Sequence, residues 1–486
     1  MTQDVTVAGD TRVAARGAPR ALDVAAFVAL GLSAGLTVLI GLLGPSVMVP
    51  ELAGPAWQPP YSLGVRPEAH LVIGLAAAAI LLGGVGLAGA LRAGWRPDPR
   101  LLAGLGCAVV ALLAFLPPSG SADHLNYAAY GRLATLGHNP YETAPSALPA
   151  DPVLGAVEEW TGVTSVYGPV ATAVQALASL VGGESVRLTV FVMALVNAMA
   201  FAGTASLLDR FTRDDPALRA RAALLWAANP LMIYHLGAGT HVDTLAVACM
   251  VAALMARGAG SGLLLGVGIG VKLNAGLVAL GPAWELRRRP GRLAVVAGTA
   301  TATVLAIYAV AGPHVLDQVG AASRKVSLAT PWQLVKTGLQ EAFGPGAYSA
   351  WTQAGSLALL VLLAWLLLRA APDHSAPGVA VAIVVAWLFA ATYALPWYDG
   401  LAFALLAMVA WPALEGFLVA RVVILSLGYL PAREALRPED MLWLRTVVRQ
   451  QVVPWSLLAL TVALAWWAAR SAARARRRST STAPRP

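Results

Sequence analysis

Apolar runs of about 17–25 residues recur along the chain, each bounded by arginine or by proline and glycine, which is typical of membrane-spanning helices. With 58% hydrophobic and 12% charged residues, the sequence has too few polar side chains to cover a soluble protein. The pattern predicts an all-α polytopic membrane protein, a helical bundle with about 11–13 transmembrane helices. We place one transmembrane domain at residues 21–470, between disordered cytoplasmic tails at 1–20 and 471–486.

The positions of the arginines predict the orientation of the chain. Arg12, Arg16 and Arg20 precede the first apolar run and keep the N-terminus in the cytoplasm. The net charge of +9 therefore indicates orientation in the membrane rather than a nucleic-acid partner. Residues 170–181 are too few to cross, so we interpret them as a juxtamembrane or re-entrant helix, which leaves the arginines between 210 and 221 inside.

The apolar run from Gly262 to Trp284 has arginines on both flanks and Lys272 at its midpoint. A lone ammonium at the bilayer centre costs about 3 kcal/mol or more. We therefore prefer two short helices with Lys272 and Asn274 at their outer tip; the alternative is one span with a buried functional lysine. Farther along, residues 401–429 are predicted as two short helices and 432–451 as an amphipathic segment, whose arginines lie outside, against the charge rule.

Two long polar segments interrupt the apolar runs, at 118–169 and 313–348, and both fall on the extracytoplasmic side of the predicted topology. Long loops with little regular structure are usually either functional or disordered. The first segment combines carboxylates with tyrosines and a tryptophan, whereas a disordered segment would be poor in aromatic residues. We predict that residues 118–169 form a folded catalytic loop.

Charged side chains that are far apart in sequence share this side of the predicted topology. They include Asp123, the His241/Asp243 turn, Lys272 and Asp399. Each has a plainer role as well: Asp123 can cap a helix, and His241 and Asp243 can hydrogen-bond within their turn. Carboxylates, cations and aromatic rings at the rim of a helical bundle nonetheless indicate an active site for a lipid-borne, water-facing substrate.

Five segments carry a family resemblance, in the order SADHLNYAAYGRLATLGHNPY, VYGP, GTHVDTLA, GVKLNAGL and YALPWYDG. Together they resemble the actinobacterial polyprenol-phosphate-mannose-dependent α-1,6-mannosyltransferases of the MptA/MptB type and, more broadly, the GT-C glycosyltransferases. The resemblance implies a GT-C-like bundle with a large first extracytoplasmic catalytic loop. In that family an aspartate of this loop is the presumed catalytic residue, and it corresponds to Asp123.

Two further family motifs have counterparts here, each with a departure. The family's His-Asn-Asp turn corresponds to His241 and Asp243, with Val242 between them. Its Lys-Pro element corresponds to Lys272, which Leu273 follows instead of proline. The remaining candidates for substrate binding are His124, Tyr127, Arg132, Tyr141, Glu142, Tyr167, Arg324, Lys325, Trp397, Tyr398 and Asp399.

The resemblance implies transfer of a sugar, above all mannose, from a polyprenyl-phosphate donor to a glycan or glycolipid acceptor at the outer face of the plasma membrane. The leaving group is already an anionic phosphate, so a single base near the acceptor hydroxyl suffices. We assign the base to Asp123 and stabilisation of the phosphate to Lys272, Arg324 or Lys325. One displacement would invert the anomeric centre and give an α-linked product, with an α-1,6 linkage expected.

Other interpretations remain open at this point. No cofactor is required; a divalent metal could bind through Asp123, His241 and Asp243, although nothing in the sequence demands one. A transporter or flippase for a lipid-linked sugar would also have many spans, but it predicts paired broken helices in two repeated halves, and we find no repeat. A third reading is a non-catalytic partner of a glycan synthase.

Overall fold

The computed structural model describes residues 20–481, and the regular structure in this part of the chain is helical. The first helices are α1 Ala21–Leu43, α2 Ala69–Arg92, α3 Pro99–Ala114, α4 Asp123–Thr135, α5 Pro169–Gly182, α6 Val186–Phe211, α7 Pro216–Leu225, α8 Pro230–Met232 and α9 Asp243–Met255. The later ones are α10 Ala259–Val271, α11 Leu280–Leu286, α12 Pro290–Ala311, α13 Asp317–Ser323, α14 Pro331–Phe343, α15 Ser349–Ala370, α16 Ala376–Ala390, α17 Asp399–Leu406, α18 Pro412–Gly428 and α19 Val453–Ser481.

The lengths and composition of these helices confirm an all-α polytopic membrane protein. Among the described residues, six helical segments are long and apolar enough to cross a membrane: α1, α2, α6, α12, α15 and Glu439–Arg474, which includes most of α19. Shorter apolar helices, α3, α5, α9, α10 and α16, lie between them. The expected total of about 11–13 spans stays a prediction.

Helix α10 and the residues after it form the hairpin that the sequence favoured. Helix α10 ends at Val271, and a 3-10 helix, Leu273–Ala279, leads into α11. Gly262 lies against Val296, while Gly270 lies against Ile307, so α10 and α12 run parallel. Because parallel neighbours begin at the same end, the chain between them must turn back, and Lys272 stands at the turn.

Small residues allow this parallel pair to approach closely. Gly262, Gly266 and Gly270 recur every fourth residue on the face of α10 that meets α12. A Cβ on Gly266 would lie 2.5 Å from the Cβ of Thr303, which no real pair of side chains tolerates. Such small-residue stripes let helix backbones pack tightly in membranes, so the glycines fix where the Lys272 turn stands.

Two further apolar runs of the chain are each divided between helices. Residues 401–429 do form two helices, α17 and α18. The apolar residues from 222 to 236 are interrupted at Asn229, which starts a new helix by accepting hydrogen bonds from the backbone N–H groups of Leu231 and Met232. A proline at position 230 suits that start.

The C-terminal third departs further from the expectation. The amphipathic segment at 432–451 is broken into 3-10 turns up to Met441, followed by a π-helix, Leu444–Val452. Pro438 lies inside the predicted segment and prevents a continuous helix. Helix α19 continues to Ser481, beyond the predicted boundary at 470. The predicted tail at 1–20, apart from Arg20, and the last residues, 482–486, lie outside the described residues.

Candidate active site

A cavity of about 690 Å³ lies where the 118–169 loop, the Lys272 turn, the 313–348 segment and residues 429–449 meet. Its wall combines charged, aromatic and apolar side chains. The charged residues that line it are Asp123, Glu159, Lys272, Lys325, Glu434, Arg445 and Arg449. Both signs of charge therefore face one space that is large enough for a sugar phosphate.

Asp123 is the first residue of α4, directly after the turn that follows α3. The turn is held by backbone hydrogen bonds from Ser119 to the carbonyl of Ala238 and from Gly120 to that of Met48. The hydroxyl of Ser121 accepts a hydrogen bond from the N–H of Asp123 over 3.0 Å. The Asp123 side chain keeps 17% of its surface exposed, toward the cavity. Helix α4 thus presents one carboxylate at the cavity wall.

The surroundings of Asp123 tune its acidity. Burial raises the pKa of Asp123 to about 7; the ammonium of Lys272 opposes this rise, and the carboxylates of Glu159 and Asp243 add to it. A carboxylate with such a pKa can accept a proton near neutral pH and release it again, which is the requirement for a general base.

The ammonium of Lys272 is paired on the side away from the cavity. Its Nζ donates to both carboxylate oxygens of Asp243, over 2.7 and 2.8 Å, and lies 4.1 Å from the ring centroid of Tyr398. Asp243 does not line the cavity; it faces Lys272 instead. The pair satisfies a charge that would be costly alone in the bundle.

The end of the polar loop is docked onto the Lys272 turn. The N–H of Gly168 donates to the carbonyl of Val271 over 3.0 Å. A Cβ at Gly168 would come within 2.1 Å of the Gly270 carbonyl oxygen, so only glycine fits. This contact brings the VYGP segment beside GVKLN, two of the motifs that carry the resemblance.

Behind the cavity wall lies a layer of buried polar side chains. His241 stacks on Trp397, with ring centroids 3.7 Å apart and planes 14° from parallel. Its Nδ1 lies 3.2 Å from the hydroxyl of Tyr127 and 3.6 Å from a carboxylate oxygen of Asp123. The stacking of His241 fixes the position of Trp397. His241 also contacts Asp123, the candidate base.

A second buried ion pair lies next to the aromatic residues of the cavity wall. Arg421 pairs with Asp399, and both side chains are almost completely buried. The guanidinium of Arg421 also donates to the carbonyl of Leu388 over 2.8 Å. Since Asp399 directly follows Tyr398, the pair ties the start of α17 to α16 and α18.

The structure brings six of the predicted site residues to the cavity and leaves nine away from it. Those that line it are Asp123, Tyr167, Lys272, Lys325, Trp397 and Tyr398. Those that do not are His124, Tyr127, Arg132, Tyr141, Glu142, His241, Asp243, Arg324 and Asp399. Tyr127, His241, Asp243 and Asp399 belong to the layers just described.

The other five have partners or positions that explain their absence. Arg132 pairs with Asp151, the hydroxyl of Tyr141 bonds to that of Thr172, and Glu142 accepts from Asn139; these contacts hold the loop together. His124 is fully buried. Arg324 is exposed and lies outside the cavity, next to Lys325, which lines it.

Sequence reasoning missed several cavity residues: Glu159, Trp160, Tyr393, Tyr429, Glu434, Arg445 and Arg449. One signal was present for the arginines, because they belong to the segment that violates the charge rule. Arginines on the disfavoured side of a membrane are a reason to expect a bound anion. Within the described residues, no group of three metal-ligating side chains is close enough to hold an ion.

Comparison with known proteins identifies relatives. The sequence model of a family described as "Alpha-(1->6)-mannopyranosyltransferase, N-terminal domain" matches residues 28–288, more than half of the chain. Alpha-(1->6)-mannopyranosyltransferase A of Corynebacterium glutamicum is 27% identical over 174 residues, 35% of this chain and 36% of that protein. The Mycobacterium tuberculosis protein of the same name is 26% identical over 322 residues, 60% of this chain and 61% of that protein. The matched regions thus span about a third and about three fifths of these relatives.

Proposed function

Because the chain belongs to the alpha-(1->6)-mannopyranosyltransferase family, we propose that it transfers mannose from a polyprenyl-phosphate donor to a glycan or glycolipid acceptor, in an α-1,6 linkage. The reaction takes place at the extracytoplasmic face of the plasma membrane. One observation carries the proposal: Asp123 and a set of cations face the same cavity, whose wall also includes exposed leucines.

The chemistry needs one base. The acceptor hydroxyl attacks the anomeric carbon of the donor and loses its proton to the carboxylate of Asp123. The bond between that carbon and the phosphate oxygen breaks, and the polyprenyl phosphate leaves with the electron pair. Attack opposite the leaving group inverts the anomeric centre, so a β-linked donor gives an α-linked product. No cofactor is part of this proposal.

Arg445 and Arg449 are the best placed to hold the phosphate. Lys272 already gives two of its N–H groups to Asp243, and Arg324 lies outside the cavity. Both arginines line the cavity, and the Nε of Arg449 is buried without a hydrogen-bond partner among the described residues. Guanidinium groups match phosphate geometry and stay charged. The positive charge of Lys272 then contributes to the electrostatic potential beside the sugar.

The apolar part of the wall suits the polyprenyl chain. Leu273 and Leu357 line the cavity and are 44% and 61% exposed. Leu360, one helical turn from Leu357, continues this surface along α15. A lipid tail lying on these leucines would keep its phosphate at the cavity while the chain stays in the bilayer.

The test uses the purified full chain in lipid nanodiscs with a polyprenyl-phosphate-mannose donor and a synthetic α-mannoside acceptor. We expect a product one mannose longer, with an α-1,6 bond by linkage analysis and with consumption of one donor per bond. Hydrolysis of the donor without a longer acceptor, or no consumption at all, would contradict the proposal. Movement of intact donor across a vesicle membrane without product would favour the flippase reading.

A further inference from the structure

We infer that Trp160 forms an acceptor subsite at the rim of the cavity, a flat platform for a neutral, mannose-rich glycan held against one face of its indole ring. The inference rests on the proposed function, because it names where the acceptor rather than the donor binds. Neither the resemblance nor the expected site residues included Trp160.

Trp160 differs from every other aromatic side chain of the cavity wall in its exposure. Its side chain is 48% exposed, whereas Trp397 is only 2% exposed and has His241 stacked on one face. Tyr398 has the Lys272 ammonium on its ring, and Tyr167 packs edge-on against Tyr127. Among the aromatic residues of the described chain that line the cavity, Trp160 alone is exposed rather than buried or half-buried. An exposed ring at a cavity edge has a face available for a ligand.

The ring is held in place by a backbone arrangement that resists movement. Trp160 has φ +61°, a left-handed conformation that is uncommon for a bulky side chain, and its carbonyl accepts from the N–H of Val163 over 2.9 Å. An outlier of this kind persists only where the surroundings enforce it, and it often marks a functional position.

An ion pair two residues away supplies that enforcement. Glu158 accepts from Nε of Arg433 over 2.6 Å, and another nitrogen of the same guanidinium donates to the carbonyl of Ser46 over 2.6 Å. Three separate chain segments are therefore held together two residues before Trp160. A rigid aromatic surface loses little conformational freedom when a ligand binds.

The 313–348 segment places one cation over the ring, and the side chain still keeps 48% of its surface exposed. The ammonium of Lys325 lies 4.8 Å from the Trp160 ring centroid, within the range of a cation–π contact. Glu159, the neighbouring residue, also lines the cavity and can accept hydrogen bonds from sugar hydroxyls. A hexose ring has an apolar face and hydroxyl groups along its edges. Its apolar face can pack on the indole ring while an edge hydroxyl donates a hydrogen bond to Glu159.

Steady-state kinetics with varied acceptor tests the subsite. We expect Trp160→Ala to raise the acceptor KM about tenfold, with kcat and the donor KM within about twofold, because the platform binds ground and transition states alike. Trp160→Phe, which keeps an aromatic face at this position, should recover part of the loss. Trp57→Ala is the matched control, since Trp57 is 76% exposed and does not line the cavity.

Equilibrium binding of an α-1,6-mannotriose to the same proteins, followed by calorimetry without donor, separates this inference from the proposed function. Weaker binding to Trp160→Ala than to wild type and Trp57→Ala supports the platform even if no turnover is detected. Equal affinities for all three proteins, or a Trp160→Ala effect on the donor KM alone, would overturn it. A wild type that binds mannotriose through Trp160 yet makes no product would reject the proposed function only.

Discussion

Burial, more than any single neighbour, gives Asp123 the properties of a base. A solvent-exposed aspartate would be ionised at all physiological pH values and would accept a proton poorly. Here burial raises the pKa to about 7, with Lys272 limiting the rise. The residue that the resemblance marked as catalytic therefore also has the physical character that the role requires.

This character predicts a pH dependence. The base works only when it is ionised, and its pKa is raised, so transfer should increase with pH between about pH 6 and pH 8 and then level off. Glu159 contributes to the raised pKa of Asp123. Glu159→Gln should therefore move the midpoint of kcat/KM toward lower pH, whereas Glu142→Gln, outside the cavity, should leave it in place. A midpoint that moves equally in both variants, or a flat wild-type profile, would argue against ionisation of Asp123 as the controlling event.

The Asp243–Lys272 pair makes a separate prediction about stability. The two side chains are only 8% and 14% exposed, so removing either one leaves a poorly solvated charge. Asp243→Asn and Lys272→Met should each destabilise by about 3–5 kcal/mol. The double variant should lose less than the sum of the two, because no unpaired charge remains. Apparent Tm values from differential scanning fluorimetry give the comparison, and strictly additive losses would mean that the two groups do not interact.

At the level of helices, the positions of charged residues predicted a hairpin that hydrophobicity alone would not have indicated. The run from Gly262 to Trp284 looks like one span, and only its flanking arginines and central lysine indicated a hairpin, which the parallel packing of α10 and α12 bears out. The helix break near Asn229 has a weaker sequence signal, because an N-cap residue and a proline stand alone inside an apolar run. The π-helix at Leu444–Val452 has no sequence signature of its own.

The glycine stripe of α10 gives a prediction at this scale. Gly266→Val should push α12 away from α10 and displace the Lys272 turn, lowering both apparent Tm and transfer by at least about tenfold. Gly298→Val is the matched control: it makes the same substitution on α12, where an added Cβ meets no atom within 4 Å. Equal losses in the two variants would mean that helix propensity, and not close approach, explains the effect.

For the whole molecule, the sequence predicted that distant charged residues would come together better than it predicted which residues line the cavity. Asp123 and Lys272 are separated by about 150 residues of sequence and yet line one cavity, as expected from the alternation of spans. Which polar side chains turn inward depends on local pairing, and this could not be inferred. Arg132 is neutralised by Asp151 within the loop, while Arg445 and Arg449, which looked like an exception to the charge rule, face the cavity.

The sidedness of the cavity is testable by labelling in cells. Ser323 lines the cavity near the start of α15, where its carbonyl accepts a hydrogen bond from Gln353. His374 lies just past the last residue of that helix, about 30 Å away along a helix of this length. With Cys107 and Cys249 replaced by serine, an impermeant maleimide should label Ser323→Cys in intact cells. His374→Cys should react only after permeabilisation. Reaction of both before permeabilisation, or of His374→Cys alone, would contradict an outward-facing cavity.

The most direct test of the central claim compares Asp123→Asn with Asp317→Asn in the purified transfer assay. Asp317 is an exposed aspartate outside the cavity, so the two variants make the same change in different surroundings. If Asp123 takes the proton of the acceptor hydroxyl, kcat should fall by about 10²–10⁴ in Asp123→Asn, with mannotriose binding intact, and stay near wild type in Asp317→Asn. Near-normal turnover by a folded Asp123→Asn protein would contradict the account.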